Sequence, residues 1–433
     1  MKTSSSTAPR RRLRWGLLLL LLLFAAPVAG ADDNTIRVGI LHSLTGTMAI
    51  SESVLKDTVL MLIDDQNRRG GLLGRKLVPI VVDPASDWDL FAEKARDLLT
   101  KEKVAVVFGC WTSVSRKSVL PVFEQMNGLL YYPVQYEGEE SSRNIFYTGA
   151  APNQQAIPAA RYLMSREGGD VRRWVLLGTD YVYPRTTNRI LEAYLASEGV
   201  SQKDIMTIYT PFGYSDWREI IERIKKFRTE GKKTAVISTI NGDANTYFYK
   251  ELAAQKVDAN SIPVMAFSVG ERELLGMDAK SLAGHLAAWN YFHSVESPEN
   301  DAFIKMWKEF TGGKDETTND PMEATFVGFR MWAQAVAQAG TTDVDSVRQA
   351  MYGQRVKAPS GFEEVMNANH HLSKPIMIGK IDAAGKFEVI WRSINPVRAD
   401  AWSKHIPDSA KRTADWTFPW VCGGCIEPTF KEW

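Results

Sequence analysis

Short apolar strands alternate with amphipathic helices along this chain, and the alternation runs through once and then starts again. In the first round, residues 36–41, 77–82, 104–108 and 129–132 read as strands. Helices fall over 53–67, within 88–100 and from about Ser115. The helix over 53–67 places Leu55, Val59, Leu62 and Ile63 on one face and stops at Gly70-Gly71, where glycine supplies a left-handed cap. Such alternation with short connections predicts a parallel sheet covered by helices on both faces. In the second round the strands are 174–177, 206–209, 235–239 and 264–267, with helices over 216–228 and 244–254.

Two rounds of this kind predict two Rossmann-like α/β lobes, and 433 residues exceed one ordinary core. The seam falls near Ala150-Ala151-Pro152-Asn153. A strand-like run at 286–292 precedes helical stretches at about 299–310 and 321–339, and two strands follow at 376–381 and 387–392. We therefore assign 32–151 and about 288–372 to lobe 1, 152–287 and about 373–400 to lobe 2, and 401–433 to a Trp/Pro-rich tail. No low-complexity linker separates the lobes, so several short strands must join them as a hinge, and hinge closure traps ligands.

Composition bounds the function. Apolar residues make up 45% and charged residues 24%, which describes a folded globular chain. Five of the positive charges lie in residues 1–31, so a formal net charge of +1 leaves a mildly acidic remainder at −4. Such a body has no electrostatic footprint for nucleic acid. Basic residues 10–14, the apolar run 15–26 and Ala29-Gly30-Ala31 read as a secretory signal cleaved near Ala31. The expected location is the periplasm. In that oxidising setting Cys422 and Cys425 are candidates for a disulfide, while Cys110 reads as a small buried thiol.

The chain lacks a G-x-S-x-G elbow, an H-E-x-x-H helix, a G-x-G-x-x-G turn and a P-loop. His370-His371 looks metal-like, but neighbours on a strand face opposite ways and no acids accompany them, so a solvated pair is expected. We read the chain as a non-enzyme without cofactor or metal.

In open α/β sheets, ligands bind beyond the carboxyl ends of the strands. The loops there run Gly109-Cys110-Trp111-Thr112-Ser113, then Tyr132-Pro133-Val134-Gln135-Tyr136-Glu137. In the second lobe they are Gly178-Thr179-Asp180-Tyr181-Val182-Tyr183, Asn241-Gly242-Asp243 and Ser268-Val269-Gly270-Glu271. Ser, Thr and Asp at such places are ordinary helix caps. Five loops this rich in hydroxyls and rings exceed what capping requires, and they suit a small, neutral, planar ligand. Trp111, Thr112, Ser113, Tyr132, Gln135, Tyr181, Tyr183, Asp243, Ser268 and Glu271 are the candidate ligand-binding residues.

These residues carry a resemblance that covers nearly the whole chain after residue 31. Thr45-Gly46 and the run Asn67-Arg68-Arg69-Gly70-Gly71-Leu72-Leu73-Gly74 resemble the opening of type I periplasmic binding proteins of the branched-chain amino acid and amide group. The loops after the third and fourth strands and the segment Asp180–Arg185 look like its amide-and-urea branch. Trp416-Thr417-Phe418-Pro419-Trp420-Val421-Cys422-Gly423-Gly424-Cys425 resembles the tail of urea-binding components of bacterial urea ABC transporters. The resemblance implies a partner ligand, urea or a similar small amide, and permease subunits at the membrane. It implies that Thr112 and Ser113 donate to a carbonyl, that Glu271 accepts from amino groups, and that Trp111, Tyr132, Tyr181 and Tyr183 stack. Trp111 stands where the related amide sensor has tyrosine. The alternatives are a binder or sensor of short amides or branched-chain amino acids, and an exported amide hydrolase.

Overall fold

The computed structural model describes residues 1–4, 34–228, 231–275, 277–411 and the backbone of 416–417 and 421–422. From Thr35 onward the chain forms one compact unit. The signal segment and the side chains of Cys422 and Cys425 lie outside the described residues.

The first sheet takes β1 (Thr35–Leu41), β2 (Lys76–Val82), β3 (Val106–Gly109), β4 (Leu130–Tyr132) and β5 (Ile145–Tyr147), connected by α1 (Ala49–Arg68), α2 (Trp88–Thr100) and α3 (Ser113–Met126). All its pairings are parallel, in the order β2-β1-β3-β4-β5. The second begins after α4 (Ala156–Met164) with β6 (Val171–Thr179), α5 (Val182–Ser197) and β7 (Ile205–Thr210). It continues through α6 (Arg218–Phe227), β8 (Lys233–Thr239), α7 (Ala244–Ala254) and β9 (Val264–Ala266). Two single-turn helices, α8 (Glu271–Leu274) and α9 (Ala279–Leu282), lead to β10 (Leu286–Trp289).

The chain then builds α10 (Pro298–Phe310), α11 (Asp320–Ala339) and α12 (Val344–Met351), and α11 packs on α1 and β4 of the first sheet. A small antiparallel sheet follows from β11 (Arg355–Lys357), β12 (Glu363–Met366) and β13 (Leu372–Lys374), closed later by β16 (Val397–Arg398). Between them β14 (Met377–Ile381) and β15 (Phe387–Arg392) extend the second sheet antiparallel, giving the order β15-β14-β10-β9-β8-β6-β7.

The chain thus passes to or from the second sheet four times: between β5 and α4, between β10 and α10, between β13 and β14, and between β15 and β16. Amide side chains bind these crossings to one another. Gln154 donates to the Leu372 and Val397 carbonyls at 2.9 and 2.7 Å. Asn290 donates to the Gln154 and Pro375 carbonyls at 3.2 and 2.6 Å. A buried ammonium, Lys374, lies beside this knot, 2.8 Å from Glu323 and 3.5 Å from Glu364.

His370 and His371 are buried, not solvated as expected. Each stacks at 4.4 Å on an aromatic ring of β5, His370 on Phe146 and His371 on Tyr147. The desolvated site favours neutral imidazole and lowers the two pKa values to about 3 and about 4.

Candidate ligand site

Strand order reverses in the first sheet between β1 and β3, and in the second between β6 and β8. Loops diverge at such points and leave a crevice beyond the strand ends. In this molecule the two crevices face each other. Trp111, after β3, donates its indole N–H across the gap to the Asn241 side-chain oxygen, after β8, at 3.2 Å. Gln135 donates to Ser268 Oγ at 2.8 Å, and Ser51 of α1 donates to Glu273 at 2.9 Å. The lobes are closed on one another.

Local backbone geometry sets the first-lobe loops. A side chain at Gly109 would lie 2.5 Å from the Leu41 carbonyl oxygen, so only glycine lets β3 pass β1 there. Cys110 then takes φ 67°, which turns the chain out of the strand, and its N–H bonds the Leu41 carbonyl at 2.9 Å. Its thiol is buried, and burial pushes its pKa up, as expected of a packing residue and not of a nucleophile. Thr112 caps α3: its oxygen accepts from the Ser115 N–H at 3.1 Å while its hydroxyl donates to Ser115 Oγ at 3.0 Å.

Behind this loop lies a buried charge cluster. Arg116 is fully buried; it donates to Glu137 and to Glu140, each at 2.8 Å, and Lys117 reaches Glu140 at 2.7 Å. The guanidinium lies 4.8 Å from the Tyr132 ring and 4.7 Å from that of Tyr136. Burial alone would raise the Glu140 carboxyl, but Arg116 and Lys117 hold it well below the usual range. Two cations and two carboxylates make the cluster neutral, which is what a site without water requires. Ser113, expected to donate to a ligand, donates to Glu137. The Tyr132 hydroxyl donates to the Trp111 carbonyl at 2.5 Å.

In the second lobe, Tyr181 and Tyr183 start α5 with ring centroids 6.2 Å apart, both buried, and Tyr181 packs on Phe212 at 4.8 Å. The Asn241 N–H bonds Thr179 Oγ1 at 3.0 Å. Gly242, at φ 71°, lies so near lobe 1 that an added side chain would sit 3.0 Å from the Thr47 carbonyl oxygen. Gln135 Oε1 and Asp243 Oδ1 are buried without a hydrogen-bond partner of normal geometry, and the Tyr183 hydroxyl joins Gln135 and Ser268. Glu271 turns elsewhere: its carboxylate accepts from the His293 N–H at 2.7 Å, beside the second crossing. Burial raises its pKa to about 8.

Trp111, Gln135, Ser268 and, through Asn241, the β8 loop are brought together. Thr112 and Ser113 sit there with their protons committed, and Glu271 has no hydrogen bond to the other loops. Sequence reasoning passed over Arg116 and Glu273, and it named the loops that hold Glu137 and Asn241 without singling those two out. Two acids three apart, Glu137 and Glu140, ahead of a strand are a signal that a buried cation is near. Among the described residues no group of three or more His, Cys, Asp or Glu could hold a metal ion, and no helix is long and apolar enough to cross a membrane.

Two doubly wound lobes with their crevice loops pressed together make a two-lobed α/β binding fold. The chain belongs to the periplasmic binding protein domain family, which matches residues 36–408. A Leu/Ile/Val-binding protein of Rhizobium johnstonii is 25% identical over 215 residues, 49% of this chain and 56% of the relative. A Geobacillus stearothermophilus protein named limonene hydroxylase is 31% identical over 143 residues, 33% of this chain and 26% of the relative. The chain spans less than two thirds of either.

Solved structures match along almost their full length. A solute-binding protein of an ABC transporter from Rhodopseudomonas palustris, in complex with 3,4-dihydroxybenzoic acid, has a TM-score of 0.72 at 18% identity, covering 84% of this chain and 99% of that one. A leucine-binding protein of Thermotoga maritima has a TM-score of 0.68 at 16% identity, covering 83% and 99%. The fold is that of the type I periplasmic binding proteins.

Proposed function

We propose that this chain is an exported solute-binding protein that closes on a small neutral amide, urea first, and delivers it to the permease of an ABC transporter without transforming it. The signal cleaved near Ala31 and a periplasmic location belong to this reading. The observation that carries it is the hydrogen-bond polarity of the interlobe contact. Two buried acceptors, Gln135 Oε1 and Asp243 Oδ1, lack partners of normal geometry, and the Tyr183 hydroxyl lies beside Gln135 and Ser268. Urea has four N–H donors and one carbonyl acceptor, so acceptors must outnumber donors around it. Trp111, Tyr132 and Tyr181 supply flat faces for a planar molecule, and Ser268 holds Gln135 in place.

Charge supports a neutral ligand over the carboxylates and amino acids that the structural neighbours' names mention. Arg116 is held by Glu137 and Glu140, Arg185 by Asp180 at 2.7 Å, and Arg272 by Asp315. A carboxylate ligand would have to pull one of these from its partner, which for the buried Arg116 pairs costs about 3–5 kcal/mol and for the partly exposed Arg185 and Arg272 pairs less.

Calorimetric titration of the mature protein with urea, acetamide, formamide, leucine and 4-hydroxybenzoate tests the reading. Urea should bind tightest, with no ammonia released on prolonged incubation. Preference for leucine or the benzoate would keep the fold and overturn the ligand. Sustained ammonia release would make the protein a hydrolase.

A further inference from the structure

We propose that Glu137, braced by Arg116, is a positioning residue that fixes the proton of Ser113, so that Ser113 can meet a ligand only as a hydrogen-bond acceptor and the cleft selects for N–H donors. The inference rests on the amide reading above and assigns the selectivity within it.

Ser113 and Arg116 stand three apart in the first turn of α3, which places them on one face. With Glu137 they close a ring. The Ser113 hydroxyl donates to Glu137 Oε2, Arg116 Nη2 donates to Glu137 Oε1 at 2.8 Å, and Arg116 Nη1 donates to Ser113 Oγ at 3.1 Å. A serine hydroxyl has one proton and two lone pairs. The proton is committed to a carboxylate and one lone pair to a guanidinium, so one lone pair remains.

Hydrogen bonds to an ionised acceptor are roughly twice as strong as neutral ones, so a ligand's neutral carbonyl cannot draw the proton away. Nor can the ring swing open. Arg116 is fastened at its Nε to Glu140 at 2.8 Å and is flanked by the rings of Tyr132 and Tyr136. Ser113, Arg116 and Glu137 are all buried. The ring also reaches the lobe interface: after burial, the charge of Glu137 is among the influences that raise the Tyr181 and Tyr183 hydroxyl pKa values. Tyr132, its proton committed to the Trp111 carbonyl, has the same acceptor character.

A glutamine in place of Glu137 would turn its amide N–H toward Ser113 and release the serine proton, reversing the polarity without changing shape. Titrations of the wild type, Glu137→Gln, Ser113→Ala and the double variant with urea and acetamide read this out. Glu137→Gln should weaken urea by about tenfold or more and acetamide less, so that the urea-to-acetamide affinity ratio falls. In the Ser113→Ala background the same substitution should change urea affinity less than twofold, because its effect passes through Ser113. Glu137→Asp, which keeps the charge, should restore most of the wild-type ratio.

If Glu137→Gln fails to fold, Ser113→Ala alone decides: it must reduce urea affinity more than acetamide affinity, and equal losses overturn the proposal. An unchanged ratio in Glu137→Gln, or additive losses in the double variant, also overturn it. Failure of the wild type to bind urea or any amide defeats the amide reading itself and is seen before any variant is made.

Discussion

Gln135 links the lobes through its amide nitrogen and leaves its amide oxygen unpaired. On the proposed reading its two ends do different things, closure and recognition. Gln135→Leu removes both at nearly constant volume. Ligand affinity should fall at least tenfold by calorimetry while the unfolding free energy without ligand falls by only about 1 kcal/mol, the net worth of the one hydrogen bond removed. A large loss of stability would make Gln135 a packing residue instead.

Among elements, the strand-to-loop passages matter most, because they aim the side chains. Gly149, just past β5, sits against the β4 loop: an added side chain would meet the Val134 carbonyl carbon at 2.1 Å and its oxygen at 2.2 Å. Backbone cannot yield as a side-chain end can. Gly149→Ala should therefore cost about 1–3 kcal/mol, the usual range for overpacking, and displace Gln135. Chemical denaturation together with ligand titration would show both losses. Loss of stability with wild-type affinity would separate this glycine from the site.

Periodicity made the long elements legible. Residues 88–100 and 244–254 are helices over the ranges their patterns predict, and α1 starts only a few residues early. The short ones were legible only in part: β4 and β9, three residues each, showed as apolar runs, whereas β5, β11 and β13, equally short, did not, and their strand character comes from neighbours such as the Tyr147–His371 bridge.

For the molecule as a whole, four crossings tied by Gln154 and Asn290 make a hinge whose core is polar and buried. Its stability must depend on pH from two sides. His285 and His371 have folded-state pKa values lowered to about 4 by burial, against 6.5 unfolded. The unfolded chain binds those protons first, so stability is lost as pH falls from 6.5 toward 4, by about 1.4 kcal/mol per unit for each. Glu271 acts in the opposite direction. Its folded value is raised to about 8 from 4.5, so the folded state holds the proton longer and stability is lost as pH rises through that window. Glu271→Gln mimics the protonated form. Thermal unfolding between pH 6.5 and 8 should show a flatter decline in this variant, with the acid limb unchanged. An unaltered alkaline slope would mean that Glu271 is already ionised in the folded protein. The same variant tested for ligand affinity decides whether Glu271 belongs to the cleft, as the resemblance implied, or only to the hinge.

The two lobes, their parallel sheets and the five loops at the strand ends follow from apolar periodicity and turn residues. Those are local properties, and local order along a chain is what a sequence displays directly. Which atoms of those loops remain for a ligand was decided in three dimensions. The hydrogen bond of the Ser113 hydroxyl goes to Glu137, which is itself held by an arginine from another element. The acceptor of Trp111 lies on the opposite lobe. Hydrogen-bond direction in a buried site is a property of the closed network, and a network exists only when distant segments have packed.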